Sequence, residues 1–596
     1  MDTPFVKTFK VDPSLPLHEM LVPTLETLSR SHIMHLLTII KKPIVLIGGI
    51  GKTLELQKLQ SELRGSRTSL QLVQSRSVQP ALLQDKIEAK LEKKKGKALG
   101  APTGKPLCVS LDNINHAAVD QFGAQPSLEF IRQYFDHGGW YSFADKCFKE
   151  IYDVHFIAAV GGSAQELPVR LMRHFQPIYC PEIKDVSVDR IFTAIIDTQF
   201  TTNNATVTKL LHIIPRATMA VYRSASNTLL PVSSRIHYIY HIRDVFKILK
   251  GVIFGVTQQA NINISQLMRL WFHECIRVFG DKLNLKEDKQ WLADLLTGTM
   301  KTFFEYTSVS LTGDVLFGIM TKNSNYDEIY DVEKFIFNMK MCLNEYNTQN
   351  TRKPLDIYLF KEAVISLAKI SRVITRPNNN VMVLGKLGVG RLSLTKLSAF
   401  IVGLDIFEIS ISKTYGIQDW QEDIKKLLRL TGLQGKPMLF LVTENQLVHP
   451  RFMEDLANII HSGCIPDLFQ EEETESIAQT MQVKWPLPLQ DTAFNANTHQ
   501  ATLELYYNKF ISHVRSNLRV ALSLDPLSYQ FKEYVRNYPS MICCCTMVYV
   551  DDWTQDSLKA VARHQLSMSS LETSLVDKVT SSLVSLQQIV AQVHSL

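Results

Sequence analysis

Two glycine-rich turns hold the residues whose types and spacing could do chemistry. The first, Gly48-Gly49-Ile50-Gly51-Lys52-Thr53, follows the apolar run Pro43-Ile-Val-Leu-Ile47. The second, Gly385-Lys386-Leu387-Gly388-Val389-Gly390-Arg391-Leu392-Ser393, follows Val381-Met-Val-Leu384. A phosphate loop of the form G-x-x-x-x-G-K-[S/T] wraps phosphate oxygens in backbone N–H groups, brings a lysine to the terminal phosphates and holds Mg2+ through a hydroxyl. Gly48, Gly49, Gly51, Lys52 and Thr53 are therefore candidate nucleotide-binding residues, and so are Gly385, Gly388, Gly390, Arg391 and Ser393. Each turn is followed by a second apolar run that ends in a carboxylate, Leu107-Cys-Val-Ser-Leu-Asp112 and Met438-Leu-Phe-Leu-Val-Thr-Glu444. A carboxylate there is the hard oxygen partner that nucleotide-bound magnesium requires. Thr53, Asp112 and Glu444 are the candidate metal ligands.

Both turns depart from the working pattern. Leu46 stands five positions before Gly51, where glycine is expected, so the first turn is two residues short and offers fewer amides. The second keeps the spacing Gly385 to Gly390, but Arg391 is planar and bulkier than a lysine point charge, Leu392 removes the adjacent hydroxyl, and Ser393 comes one residue late. Asn113 and Asn445 follow the two acids, and an amide cannot accept the proton of an attacking water. No catalytic residue is assigned. Two readings stay open: ATP or ADP held with Mg2+ and turned over weakly or not at all, or empty loops kept as strand-to-helix turns in a scaffold that acts through protein contacts.

The elements that must position these turns occur twice in the same order. A helical stretch around Ser31 to Leu37, the first apolar run, the turn and a helix over 54–63 are matched by a helix over 357–374, the second run, the turn and a helix over 394–402. Each copy is followed by a mostly helical stretch, about 208–300 and 526–596. The pattern predicts an α/β chain of two tandem P-loop modules: an α/β subdomain over 1–207, a helical lid and connector over 208–345, a second α/β subdomain over 346–525 and a second lid over 526–596. Segment 88–106, with Lys93-Lys-Lys-Gly-Lys97, reads as an exposed insert, 488–499 as a loop, and 575–596 as a helix with apolar residues at helical spacing.

Composition narrows the class. The 596 residues, 45% hydrophobic and 20% charged, exclude a disordered or fibrous chain. The net charge of +6 is weak for this size and argues against a nucleic-acid partner, including a DNA-remodelling role. No apolar run approaches the ~18 residues that cross a bilayer, and the first residues lack the pattern of a secretory leader, so no membrane partner is expected. Nine cysteines, with Cys543-Cys544-Cys545 adjacent and no C-x-x-C pair, fit buried thiols of a reducing compartment. His273-Glu274-Cys-Ile-Arg277 opens like the zinc motif H-E-x-x-H, but Arg277 replaces the second ligand and reads as an ion-pair partner of its own helix.

Longer motifs carry a family resemblance. Gly123-Ala-Gln-Pro126, Arg132, Asp136-His-Gly-Gly-Trp-Tyr141, Arg170-Leu-Met-Arg173-His-Phe175, His241-Ile-Arg243-Asp244 and Leu270 to Phe279 resemble the third AAA+ module of axonemal dynein heavy chains, introduced by Leu21 to Ser29. Ser410 to Gly416, Trp420 with Glu422-Asp423, Phe452-Met-Glu-Asp-Leu456, Ile465 to Phe469 and Val514 to Leu518 resemble the fourth. The resemblance implies a segment of a ring-shaped, ATP-driven microtubule motor of the ciliary axoneme and cytoplasmic cytoskeleton. It implies other heavy-chain modules and the intermediate and light chains as partners. The main ATPase module and the stalk with its microtubule-binding tip are not in this stretch, so no direct microtubule contact is expected. It further implies that Arg170 and Arg173 face a neighbouring module's nucleotide, that Arg243 lies near the sensor arginine of the lid, and that Arg536 is an arginine of the fourth module, with Lys532 where another is usual. Val389, Leu392 and the pared stretch Gly161-Gly-Ser-Ala164 depart from the family pattern.

Overall fold

The computed structural model describes residues 22–49, 51–63, 67–74, 76, 78–94, 96–102, 105–161, 167–199, 205–233, 235–258, 263–304, 317–319, 326–351, 353–465, 468–486, 499–567 and 573–595. The chain divides into two compact units, Met1–Arg216 and Ala217–Leu596.

In the first unit the strands are β1 (Ile44–Gly48), β2 (Thr68–Val73), β3 (Glu92–Lys93), β4 (Leu99–Gly100), β5 (Leu107–Asp112), β6 (Gly139–Tyr141), β7 (Phe148–Tyr152), β8 (Val154–Gly161) and β9 (Gln176–Cys180). Five of them form a parallel sheet in the order β2-β5-β8-β1-β9. A parallel sheet is covered on both faces, which is why β5 reads as an unbroken apolar run and is buried throughout. Alternation along β1 divides two cores: Val45 packs with Leu107, Val109 and Phe156 on one face, while Ile44 and Leu46 pack with Leu56 and Leu59 on the other. Leu46, which displaces the expected loop glycine, is thus a buried strand residue, and the turn begins only at Gly48.

The second unit contains β10 (Phe317–Ile319), β11 (Tyr326–Glu328), β12 (Asn380–Leu384), β13 (Asp405–Glu408), β14 (Met438–Thr443), β15 (Leu518–Leu524) and β16 (Cys545–Tyr549). Its parallel sheet runs β13-β14-β15-β12-β16. Laid on the first sheet, β12 takes the place of β1, β14 of β5, β15 of β8 and β16 of β9. In each, the strand that feeds the glycine-rich turn has a neighbour on either side, and the strand that ends in the acid lies one strand away. The strand ends therefore converge at the carboxyl edge of the sheet, where open α/β sheets bind ligands.

Helices Ile242–Gln258, Ile264–Cys275 and Lys286–Phe304 form a helical layer in this unit, with a π-helical turn at Ile276–Gly280. Gly251 and Gly255 let the first two helices close together: a Cβ on Gly251 would collide with Glu274 Oε2, and one on Gly255 would lie 2.6 Å from Leu270 Cδ2. Glu274 is fully buried and pairs with Arg277 at 2.7 Å, the ion pair read from the failed zinc motif. Among the described residues no helix is long and apolar enough to cross a membrane.

Three expectations need correction. The division at 525/526 falls inside the second subdomain, because β16 pairs with β12 (Val381 opposite Thr546) and extends the sheet to Tyr549. Among the described residues, the helices Gln555–Ser567 and Thr573–Ser595 follow it. Second, residues 332–345, assigned to the lid and connector, belong to helix Val332–Gln349, whose Phe335, Met339 and Cys342 pack in one core with Val381 and Leu397 of the second subdomain. Third, segment 88–106 is more than a solvated insert. Its β3 and β4 join β7 and β6 in a four-stranded sheet, and Leu99 and Ala101 are buried, although Glu92 and Lys93 are exposed. The expected loop at 488–499 falls mainly outside the described residues, as does most of the stretch after Gly161.

Two candidate nucleotide sites

The first site is built where β1 gives way to helix Lys52–Leu63. Gly48 has φ of +109° and Gly51 of +102°, backbone that side-chain-bearing residues rarely adopt. The turn also lies against the chain after β9: Gly49 N donates to Cys180 O at 2.7 Å, and Cβ atoms on Gly48 and Gly49 would lie 2.5 and 2.7 Å from the carbonyl oxygens of Cys180 and Pro181. Lys52 Nζ folds back to donate to the carbonyl oxygens of Gly48 and Gly49. Thr53, second in the helix, donates from Oγ1 to Asp112 Oδ2 at 2.8 Å, and Asp112, buried at the end of β5, accepts the Asn113 amide through Oδ1. Thr53 and Asp112, distant in sequence, are thus brought into hydrogen-bond contact, a hydroxyl beside a buried carboxylate. The neighbouring β8 end is fixed by Asn115, whose side chain donates to Gly161 O at 2.8 Å and accepts from Gly161 N at 3.1 Å.

The second site is built where β12 gives way to helix Arg391–Val402. Gly388 and Gly390 have φ of +89° and +92°, while Gly385 is held close to the chain after β16, a Cβ there lying 2.9 Å from Val550 O. The same Cβ position lies 3.5 Å from Arg391 Cδ, so the arginine runs back across the start of its own loop. Arg391 is only 7% exposed, and its Nη1 is buried without a hydrogen-bond partner among the described residues. Burial lowers its pKa, opposed by the charges of Asp525 and Glu444. Glu444 Oε2 accepts the Asp525 amide at 3.0 Å, and Asn445 is exposed. Trp553 closes the loop from the other side, donating from Nε1 to Val389 O at 3.4 Å. Ser393 is half-buried in the first helical turn, and Leu392 is 40% exposed.

The arginines expected from the family lie apart from these loops in their described contacts. Arg170 is exposed on the short helix Val169–Met172, and Arg173 pairs with Asp136 at 2.5 Å, which also accepts from Arg132 and faces His174. Arg243 donates to Cys544 Sγ at 3.4 Å, and Arg536 is exposed on helix Tyr529–Asn537. Asp525, Asn115 and Trp553 were not singled out from the sequence. Asp525 ends the apolar run Leu518 to Leu524, the same signal that marked Asp112 and Glu444; nothing in sequence spacing marks the other two.

Comparison with known proteins agrees with this architecture. A family model described as the P-loop containing dynein motor region matches residues 9–183, an AAA+ lid domain matches 214–312, and the P-loop containing dynein motor region D4 matches 355–595. Human dynein axonemal heavy chain 1 is 32% identical over 93% of this chain. The chain belongs to the dynein motor AAA+ family. Human dynein axonemal heavy chain 6 is 31% identical over 94% of it. The Chlamydomonas reinhardtii dynein-1-beta heavy chain of the flagellar inner arm I1 complex is 30% identical over 95%. The chain spans 13 to 14% of the length of these relatives. P-loop modules of this family imply nucleotide, and the residues present fit one: the first turn holds Gly48 and Gly51 at the positive φ of a glycine-rich phosphate loop with Lys52 beside it, and the second presents a buried guanidinium nitrogen with no hydrogen-bond partner among the described residues.

Proposed function

We propose that this chain is a regulatory, nucleotide-holding part of the ring of an axonemal dynein heavy chain, which holds ATP or ADP in its two loops with weak turnover or none. The observation that carries the reading is the Thr53–Asp112 hydrogen bond of 2.8 Å beside Lys52, because a fossil turn has no need to keep hydroxyl, carboxylate and cation together across 59 residues of chain. In the first site Lys52 faces the terminal phosphates once released from its glycine carbonyls, and the amides of the turn and the helix N-terminus bind phosphate oxygens. Mg2+ held by Thr53 and Asp112 would neutralise phosphate charge there. Asn113 leaves the water without a base, which limits turnover. By family, the chain works in the ciliary axoneme beside other heavy-chain modules and the intermediate and light chains, within a motor that moves on microtubules, and bound nucleotide tunes how the ring relays motion.

The test is calorimetry of the full chain with ADP and ATP, followed by a single-turnover assay of phosphate release. Saturable binding, one part removed by Lys52→Ala and another by Arg391→Ala, with bound ATP recovered intact, is the expected result. A second reading, a scaffold with empty loops, is favoured by one observation: the Lys52 ammonium already satisfies itself on Gly48 and Gly49. Absence of binding at millimolar nucleotide would select that scaffold.

A further inference from the structure

The two loops differ in what they can offer a divalent cation. Thr53 is the second residue of helix Lys52–Leu63 and meets Asp112 at 2.8 Å. The second residue of helix Arg391–Val402 is Leu392, which has no oxygen, and Ser393 is third. Successive helix positions are turned by about 100°, so a hydroxyl one residue late points away from the direction that Thr53 takes. The second site's acid, Glu444, accepts the Asp525 amide through Oε2 at 3.0 Å, much as Asp112 accepts the Asn113 amide through Oδ1, so what sets the two sites apart is the hydroxyl. Mg2+ demands oxygen ligands near octahedral geometry and is held by carboxylates together with substrate phosphates.

What the second loop offers instead is a fixed cation of its own. The Arg391 side chain lies across Gly385, the residue is only 7% exposed, and its buried Nη1 has no hydrogen-bond partner among the described residues. A guanidinium matches phosphate oxygens in planar, paired hydrogen bonds and keeps its charge where an ammonium would lose it. Resting on the nucleotide reading above, we infer that the second loop takes its nucleoside diphosphate without a divalent cation, Arg391 supplying the countercharge and the missing hydrogen bonds, while the first loop requires Mg2+. Glu444, marked in the sequence as a metal ligand, then serves to hold the β15 end beside the loop. Burial lowers the Arg391 pKa, and the charges of Asp525 and Glu444 oppose that shift.

The full chain carrying Lys52→Ala leaves the second loop as the site to be read. Its ADP affinity is measured by calorimetry in excess EDTA and again in excess Mg2+. The inference expects dissociation constants that agree within about twofold, and expects Leu392→Thr, added to the same chain, to bring a tightening of about tenfold that depends on Mg2+. The companion chain, Arg391→Ala, reads the first loop and is expected to weaken about tenfold or more when Mg2+ is removed. A loss of about tenfold in EDTA from the Lys52→Ala chain would overturn the inference. No ADP bound by that chain in either buffer would overturn the nucleotide reading of the second loop, and the inference with it.

Discussion

Thr53 and Leu392 hold the same place, second in the helix after a glycine-rich turn, and that one difference separates a hydroxyl paired to a buried acid from an exposed methyl-bearing branch. Thr53→Ala is expected to weaken Mg2+-dependent nucleotide binding at the first loop by about tenfold, about 1.4 kcal/mol, and titration of the Arg391→Ala chain with and without Thr53→Ala would measure it. The loop residues themselves were legible because a phosphate loop demands fixed residue types at fixed offsets. The state of Lys52, turned onto two carbonyls, and the orphaned Nη1 of Arg391 were not, since both depend on side-chain direction. A second residue carries a pH signature. Asp455 accepts from Trp420 Nε1 at 3.1 Å, its Oδ1 has no hydrogen-bond partner among the described residues, and burial pushes its pKa up to about 6, with Arg451 opposing and Glu454 reinforcing. The folded state then holds this proton more tightly than the unfolded chain, so the group's contribution to stability falls as pH rises from about 4 to about 6. Asp455→Asn is expected to remove that slope and to raise stability at pH 7 by about 2 kcal/mol or less, read from urea midpoints across pH. An unchanged slope would contradict it.

Strands and helices beside the turns were read from period and from apolar runs that end in acid: β5, β12 and β14 lie where those runs predict them. The run around Cys543 to Cys545 and Thr546 reads as apolar, strand-like core, but its place in the second lid region hid its membership of the sheet, which only its pairing with β12 reveals. Helix Val332–Gln349 escaped for a related reason, because amphipathic spacing names a buried face without naming what covers it. Packing at this scale makes its own prediction. Glu274 is bound by Arg277 at 2.7 Å and by the Tyr326 hydroxyl at 2.9 Å, with Arg376 at 3.7 Å, and Gly251 leaves the room it occupies. Despite burial, Arg277, Arg376 and Arg372 hold its pKa down near about 2. Gly251→Ala displaces the carboxylate and strands buried guanidinium groups, so a loss of about 3 kcal/mol or more is expected in denaturant melts. The stability this carboxylate lends is present above the ordinary range near 4 and is lost as pH falls toward 2.

Over the whole molecule, repetition was the most legible feature: two turns of one kind, each followed by one acid-ended run, become two parallel sheets of the same strand order. The modest charge of +6 argues against a dedicated nucleic-acid binder and names no other partner. Surface exposure does, since Leu25, Ile33, Leu36, Ile39 and Ile40 on or beside one helix and Leu583, Leu586, Ile589 and Val590 on another are all exposed. Apolar surface of this extent favours association. The isolated chain is expected to self-associate with rising concentration in sedimentation experiments, and Leu586→Lys with Val590→Lys to reduce it; a monodisperse monomer would contradict the expectation. The central claim, that a dynein ring segment with two altered loops still holds nucleotide, is tested most directly by titrating the full chain with ADP in the presence of Mg2+. The account predicts two saturable sites, one lost with Lys52→Ala and the other with Arg391→Ala; no saturable binding up to millimolar ADP would contradict it.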